Sequence, residues 1–120
     1  MSDHRITVLP GDGTGREVAL EAQRILDTIQ EHSNHGFDQT VIPCGGEHYK
    51  ATGEEWAEGS FELCKNQTDA IFLGAIGYPG ARLPNGDLAG GSVILGLRSG
   101  LDLYANVRPI KLYEGVPHKI

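Results

Sequence analysis

The chain has too few cysteines to be laced by disulfides. Cys44 and Cys64 are the only two, with no C-x-x-C and no His at zinc-ligand spacing, which reads as a pair of reduced structural thiols. Basic residues are also short. Ten Lys and Arg stand against sixteen Asp and Glu, and a formal net charge of −6 without any basic run excludes the footprint of a nucleic-acid binder. Long apolar runs are absent, none approaching the roughly 20 residues of a membrane-spanning helix, and the N-terminus lacks the basic, apolar, small-residue order of a signal peptide. The expectation is a cytoplasmic protein with neither nucleic-acid nor membrane partners.

What is abundant is glycine. Its 17 copies gather mainly at 11–15, 45–46 and 74–100, where they mark turns between elements. Between them the pattern alternates. Arg5–Leu9 predicts a strand, and Val18, Ala22, Ile25, Leu26 and Ile29 predict one buried face of a helix over 17–30. Phe37–Ile42 predicts a second strand stopped by Pro43 and the Gly45-Gly46 pair, and 54–66 a helix with Gly59 inside it. The apolar run Asp69–Ile76 predicts a central strand covered on both faces, 77–91 a loop, Ser92 the N-cap of a helix to Leu103, and Tyr104–Tyr113 a last strand. Alternation of this kind implies an α/β architecture with at least partly parallel pairing.

The glycine turn "G-D-G-T-G" after the first strand invites a dinucleotide reading but fails it. The third glycine arrives one position early at Gly15, and Arg16 holds the slot the fingerprint reserves. No Gly-Lys-Ser/Thr follows, so a P-loop is excluded too. What remains is a turn delivering Asp12 and free backbone amides to a helix N-terminus, an edge for an anion or cofactor. More specific are Arg98 and Arg108, whose permanently charged planar forks match a carboxylate each and together suit a dicarboxylic acid. Asp102, four residues after Arg98, is the alternative partner a purely structural arginine would take.

The strings "V-L-P-G-D-G-T-G-R-E-V", "D-A-I-F-L-G-A-I-G" and "G-L-R-S-G-L-D-L-Y-A-N-V-R-P" resemble the N-terminal third of the β-decarboxylating dehydrogenases. That family acts on 3-isopropylmalate, isocitrate, homoisocitrate, tartrate and D-malate. The resemblance runs over the whole chain and implies a partial isopropylmalate-dehydrogenase-like fold, a mixed sheet flanked by helices that is not a usual Rossmann fold. Residues 1–120 would then be the N-terminal part of the enzyme, mostly its cofactor-side domain. The implied activity is oxidative decarboxylation of a (2R)-hydroxy dicarboxylic acid, with NAD or NADP and Mg²⁺ or Mn²⁺, by a homodimer.

Matched position by position, Arg98 and Arg108 grip the substrate carboxylates and Ile94 meets the substituent that distinguishes one acid from another. Ser92 matches a serine that contacts substrate in isocitrate enzymes. Leu83, Gly90, Gly91 and Val93 lie beside the nicotinamide, and Asp12 belongs to the same cofactor edge. The resemblance places the metal-binding carboxylates and the proton-moving Tyr and Lys beyond residue 120, so no catalytic residue or metal ligand is expected here and the chain alone should be inactive.

Two departures bear on the substrate. Isopropylmalate enzymes carry a Glu seven residues before the first arginine, where this chain has Gly91, and the tail "Y-E-G-V-P" is as similar to tartrate and D-malate enzymes. An apolar Ile94 is worth only about 1–3 kcal/mol per methylene of discrimination, so 3-isopropylmalate, tartrate or D-malate, and isocitrate stay open. A noncatalytic carboxylate-binding or assembly module is the alternative from another class.

Overall fold

The structure, a computed structural model, describes residues 2–117 and 119. Three strands and four helices follow in the order β1 (Ser2–Leu9), α1 (Thr14–Glu31), β2 (His35–Val41), α2 (Gly46–Thr52), α3 (Ser60–Asn66), β3 (Ala70–Leu73) and α4 (Gly91–Gly100). The strands form one sheet in the order β2-β1-β3, and both pairings are parallel. The α/β class is as expected. The antiparallel share of a mixed sheet is confined, among the described residues, to the isolated bridges Cys44–Trp56 and Arg82–Leu88.

β1 holds the centre because it is paired on both sides, and Thr7, Val8 and Leu9 are buried there. Full burial of an aliphatic side chain of this size is worth about 1.5–3 kcal/mol. The central place predicted for Asp69–Ile76 is corrected: β3 is a four-residue strand at the sheet edge, with Ala70 and Leu73 exposed. The expected cover on both faces is also incomplete, since only Ile71 and Phe72 are half-buried; an apolar run carries no information on its lateral neighbours. The core lies on one side of the sheet, where Leu9, Ile42, Cys44, Cys64, Val93 and Leu97 pack with Trp56, Phe61 and Ile76.

α1 covers the sheet through its small residues, Gly15 and Ala19, and of the predicted apolar row only Ala22 and Leu26 continue that face, half-buried. Val18 is 59%, Ile25 61% and Ile29 42% exposed. Close approach of helix to sheet selects small side chains, so the larger ones are displaced to the flank.

Three further boundaries differ from expectation. Gly45-Gly46 opens α2 and does not merely stop a strand, Gly59 stands before α3 as its N-cap and not inside it, and 104–113 forms no strand. In that last segment Tyr104, Val107 and Ile110 are almost fully exposed, for no described strand lies alongside to accept a ladder.

β3 is tied to β1 by Arg5 and Asp69. The Arg5 N–H donates to Asp69 Oδ2 at 2.8 Å, its Nη2 donates to Oδ1 at 2.8 Å, and the Asp69 N–H donates back to the Arg5 carbonyl at 2.8 Å. The Arg5 side chain, then its backbone N–H, holds the Asp69 carboxyl down to about 2. Its folded pKa thus lies below the unfolded value of about 3.9, so its stabilisation is complete above that value and is lost as pH falls toward 2. Thermal midpoints measured from pH 5 to pH 2 are expected to fall less steeply in Asp69→Asn than in the parent; parallel curves would refute this.

Candidate functional site

The segments leaving the C-terminal ends of the three parallel strands converge, the place where open α/β sheets hold ligands. Asp12 organises them. Its side chain is buried and its Oδ2 accepts the N–H groups of Gly46 and Gly77, each at 2.9 Å, while Oδ1 accepts that of Glu47 at 2.8 Å. The Asp12 N–H donates to the Ala75 carbonyl at 2.8 Å. One residue after β1 therefore joins the loops after β2 and β3, and its negative charge sits at the first turn of α2.

Such close approach dictates the glycines. A Cβ on Gly74 would lie 2.1 Å from the Pro10 carbonyl oxygen, and one on Gly11 2.1 Å from that of Ala75. Gly15 is held by the same contact, with Ala75 and Pro10 backbone atoms 2.6 Å from its would-be Cβ. The turn that fails the dinucleotide fingerprint is a packing joint.

Four of its amides are also spoken for. Asp12 donates to Ala75, Gly13 to Glu47 Oε1 at 3.4 Å, Gly15 to the Asp12 carbonyl and Arg16 to that of Gly13. The free amides expected at this helix start are thus corrected in part, with Thr14 N–H keeping no acceptor among the described residues, and the Asp12 carboxylate faces inward. Arg16 closes the turn, pairing with Glu47 at 2.6 Å and donating Nε–H to the Gly11 carbonyl. Cys44 lies beneath; burial pushes its thiol up to about 11, which makes it an inert packing group at neutral pH.

α4 starts differently from expectation. Gly90, in left-handed backbone at φ 102°, is the N-cap, and a Cβ there would lie 2.2 Å from Ile76 Cγ2. Ser92 is one residue inside the helix and does not cap it. Its hydroxyl donates to Glu55 Oε2, while Glu55 Oε1 accepts the Gly90 N–H and, at 3.4 Å, the Ser92 N–H. Glu55 escaped the sequence reading as one acid among several. The available signal was a helix start made of two glycines, which have no side chain to satisfy their own amides and so require one from elsewhere. The carboxylate that Gly91 lacks is present beside it, brought by Glu55.

The 77–91 segment is more ordered than a loop. Leu83 N–H donates to Asp87, Gly86 N–H to Leu83 and Ala89 N–H to Ala81, forming a short hairpin around Pro84, Asn85 and Gly86 that runs into α4. Leu83 is half-buried and Gly90 buried. Val93, expected beside a cofactor, is 0% exposed in the core, so its side chain has no face to offer a ligand.

With Val93 and Leu97 turned inward, α4 leaves Gly91, Leu95 and Arg98 on its outer face and Ile94 half-buried at the flank. The helix ends in a Schellman turn: Asp102, at φ 53°, donates to the Ser99 carbonyl and Leu103 to that of Arg98. The chain folds back, and Arg98 with Leu103, Tyr104, Ala105, Asn106 and Val107 lines a cavity of about 390 Å³. Arg108 is exposed and does not line it, so one fork and not two faces this cavity. Asp102 does not neutralise Arg98, since the ion pairs among the described residues are Arg5–Asp69, Arg16–Glu47 and Arg24–Glu21. No group of three His, Cys, Asp or Glu among the described residues fits a metal ion.

The joint around Asp12 predicts a large effect for a small change. Asp12→Ala strands three amides and is expected to cost about 2–4 kcal/mol in urea unfolding, with Asp12→Asn losing part of that; a cost within experimental error would refute the assignment.

Residues 5–119 match the model of the isocitrate/isopropylmalate dehydrogenase family. The chain is 36% identical over 114 residues to the 3-isopropylmalate dehydrogenase of Clostridium acetobutylicum, covering 95% of this chain and 32% of that protein. To the 3-isopropylmalate dehydrogenase of Prochlorococcus marinus it is 38% identical over 116 residues, covering 97% and 32%. A solved β-decarboxylating dehydrogenase from Thermococcus kodakarensis, in its apo form, superposes with a TM-score of 0.62 at 32% identity, covering 84% of this chain and 27% of that one. The chain spans about a third of the length of the curated relatives it matches.

Proposed function

The chain belongs to the isocitrate/isopropylmalate dehydrogenase family, and from that premise we propose that it is the N-terminal, mostly cofactor-side portion of a metal- and NAD(P)-dependent oxidative decarboxylase. The substrate is a (2R)-hydroxy dicarboxylic acid such as 3-isopropylmalate, with tartrate or D-malate as the nearest alternatives. The observation that carries this reading is the outer face of α4, where Arg98 has no ion pair among the described residues, opens onto a cavity and follows Ile94 by one turn.

In this reading Arg98 binds one substrate carboxylate and orients the acid, and Ile94 packs its aliphatic substituent. Arg108 completes the grip when the exposed 104–113 segment closes over the same acid. Leu83, Gly90 and Gly91 flank the nicotinamide, and the Glu55 carboxylate suits a cationic ring. With the Asp12, Gly13, Gly15 and Arg16 amides of the turn already bonded, too few remain to cradle a pyrophosphate, so this chain holds the nicotinamide end only. NAD(P), when bound, takes the hydride; the donors for Mg²⁺ or Mn²⁺ are not among the described residues, and no step is derived through the metal. The complete protein acts as a homodimer in the cytoplasm. Among the described residues no helix is long and apolar enough to cross a membrane.

One second reading is a noncatalytic module that recognises a carboxylate through Arg98, which has no ion pair among the described residues. Calorimetric titration with D-malate is expected to show binding that Arg98→Ala weakens at least about tenfold, as loss of a charged hydrogen bond requires. Joining the chain to the remaining two thirds of a relative and following NAD reduction with isopropylmalate, tartrate, D-malate and isocitrate separates the readings. Turnover supports the enzyme, whereas malate binding with silence on all four supports the module.

A further inference from the structure

The sheet face turned toward α3 changes character along its length. At the C-terminal end Leu9 and Ile42 belong to the core, whereas the two preceding cross-strand pairs are polar, Thr7 beside Thr40 and Arg5 beside Asp38. α3 covers this polar half incompletely. Arg5, Thr7, Asp38, Thr40, Leu63 and Gln67 line a hollow of about 130 Å³, with the charged pair exposed and Thr7 only 1% exposed.

Its polar groups are only partly paired. Thr68 Oγ1 donates to the Leu63 carbonyl at 3.2 Å, so the 2.6 Å bond between the Thr68 and Thr7 hydroxyls is donated by Thr7. Toward the hollow Thr7 Oγ1 can therefore only accept. The Arg5 Nε–H and one Nη2–H go to Asp69, and its other guanidinium protons have no acceptor among the described residues. The side chains of Asp38, Thr40 and Gln67 make no hydrogen bond or ion pair among the described residues. Because Asp69 already neutralises Arg5, a lone anion gains little here. A lone cation at Asp38 would have the guanidinium beside it. Paired strands lie about 4.8 Å apart, so a molecule bearing both charges on neighbouring atoms meets both side chains at once.

We infer that this hollow binds a small zwitterionic α-amino acid, its carboxylate on Arg5 and its ammonium on Asp38. The volume limits the side chain to the bulk of glycine, alanine or serine. Serine fits best, because its hydroxyl donates to the waiting Thr7 Oγ1. The hollow belongs to the N-terminal half of the strands, so it is separate from the loops around Asp12 and from Arg98.

The test follows amide chemical shifts of the 120-residue chain titrated with L-serine. Shifts are expected along 5–7, 38–40 and 63–67. Glycerate, with a hydroxyl in place of the ammonium, and ethanolamine, without the carboxylate, should each bind at least about tenfold more weakly at those residues. Asp38→Asn, an exposed change on β2, should weaken serine to a similar degree, and Glu54→Gln should leave it unchanged. Serine binding that ignores Asp38→Asn, or that glycerate and ethanolamine match, would overturn the inference. Amides that stay still along 5–7 and 38–40 would overturn it equally, as a hollow that holds water only.

Discussion

The fold turns on one carboxylate. Asp12 accepts three backbone N–H groups from two other loops, and the buried one, at Gly46, has no water to fall back on. That single acceptor fixes how near the loops come, and nearness excludes side chains at Gly11, Gly15, Gly45 and Gly74. These four glycines are thus a consequence of loops drawn together around a buried acid. They are not a phosphate grip.

A second acid repeats the device one layer out. Glu55 serves the start of α4 as Asp12 serves that of α2, and neither helix has a capping side chain of its own. A helix capped from a distant segment is tied in orientation to that segment, so α4 is referenced to the same loop cluster as α2. Arg98 and Ile94 inherit their direction from this chain of backbone contacts, while Val93 and Leu97 supply the packing that holds the helix down.

Much of this was legible in the sequence where a residue's own chemistry decides its place. β1 and α1 follow from β-branching and periodicity, and Arg98 could be singled out because a permanent charge beside a glycine-rich segment has few structural uses. What was illegible depends on partners distant along the chain. Nothing local distinguishes Glu55 from Glu54, nor tells that Val93 faces the core while Ile94 beside it does not, nor that the face of α1 meeting the sheet is built of Gly15 and Ala19. The 104–113 segment shows the limit from the other side. Its extended propensity is real, but a strand exists only where another lies beside it.

The reversal after α4 is made by main-chain atoms alone, at Asp102 and Leu103. No packed side chain has to be dislodged for the segment beyond it to swing, since that segment is exposed through Tyr113. The direction in which residues 104–113 leave the helix is therefore set by two main-chain hydrogen bonds and not by a packed interface.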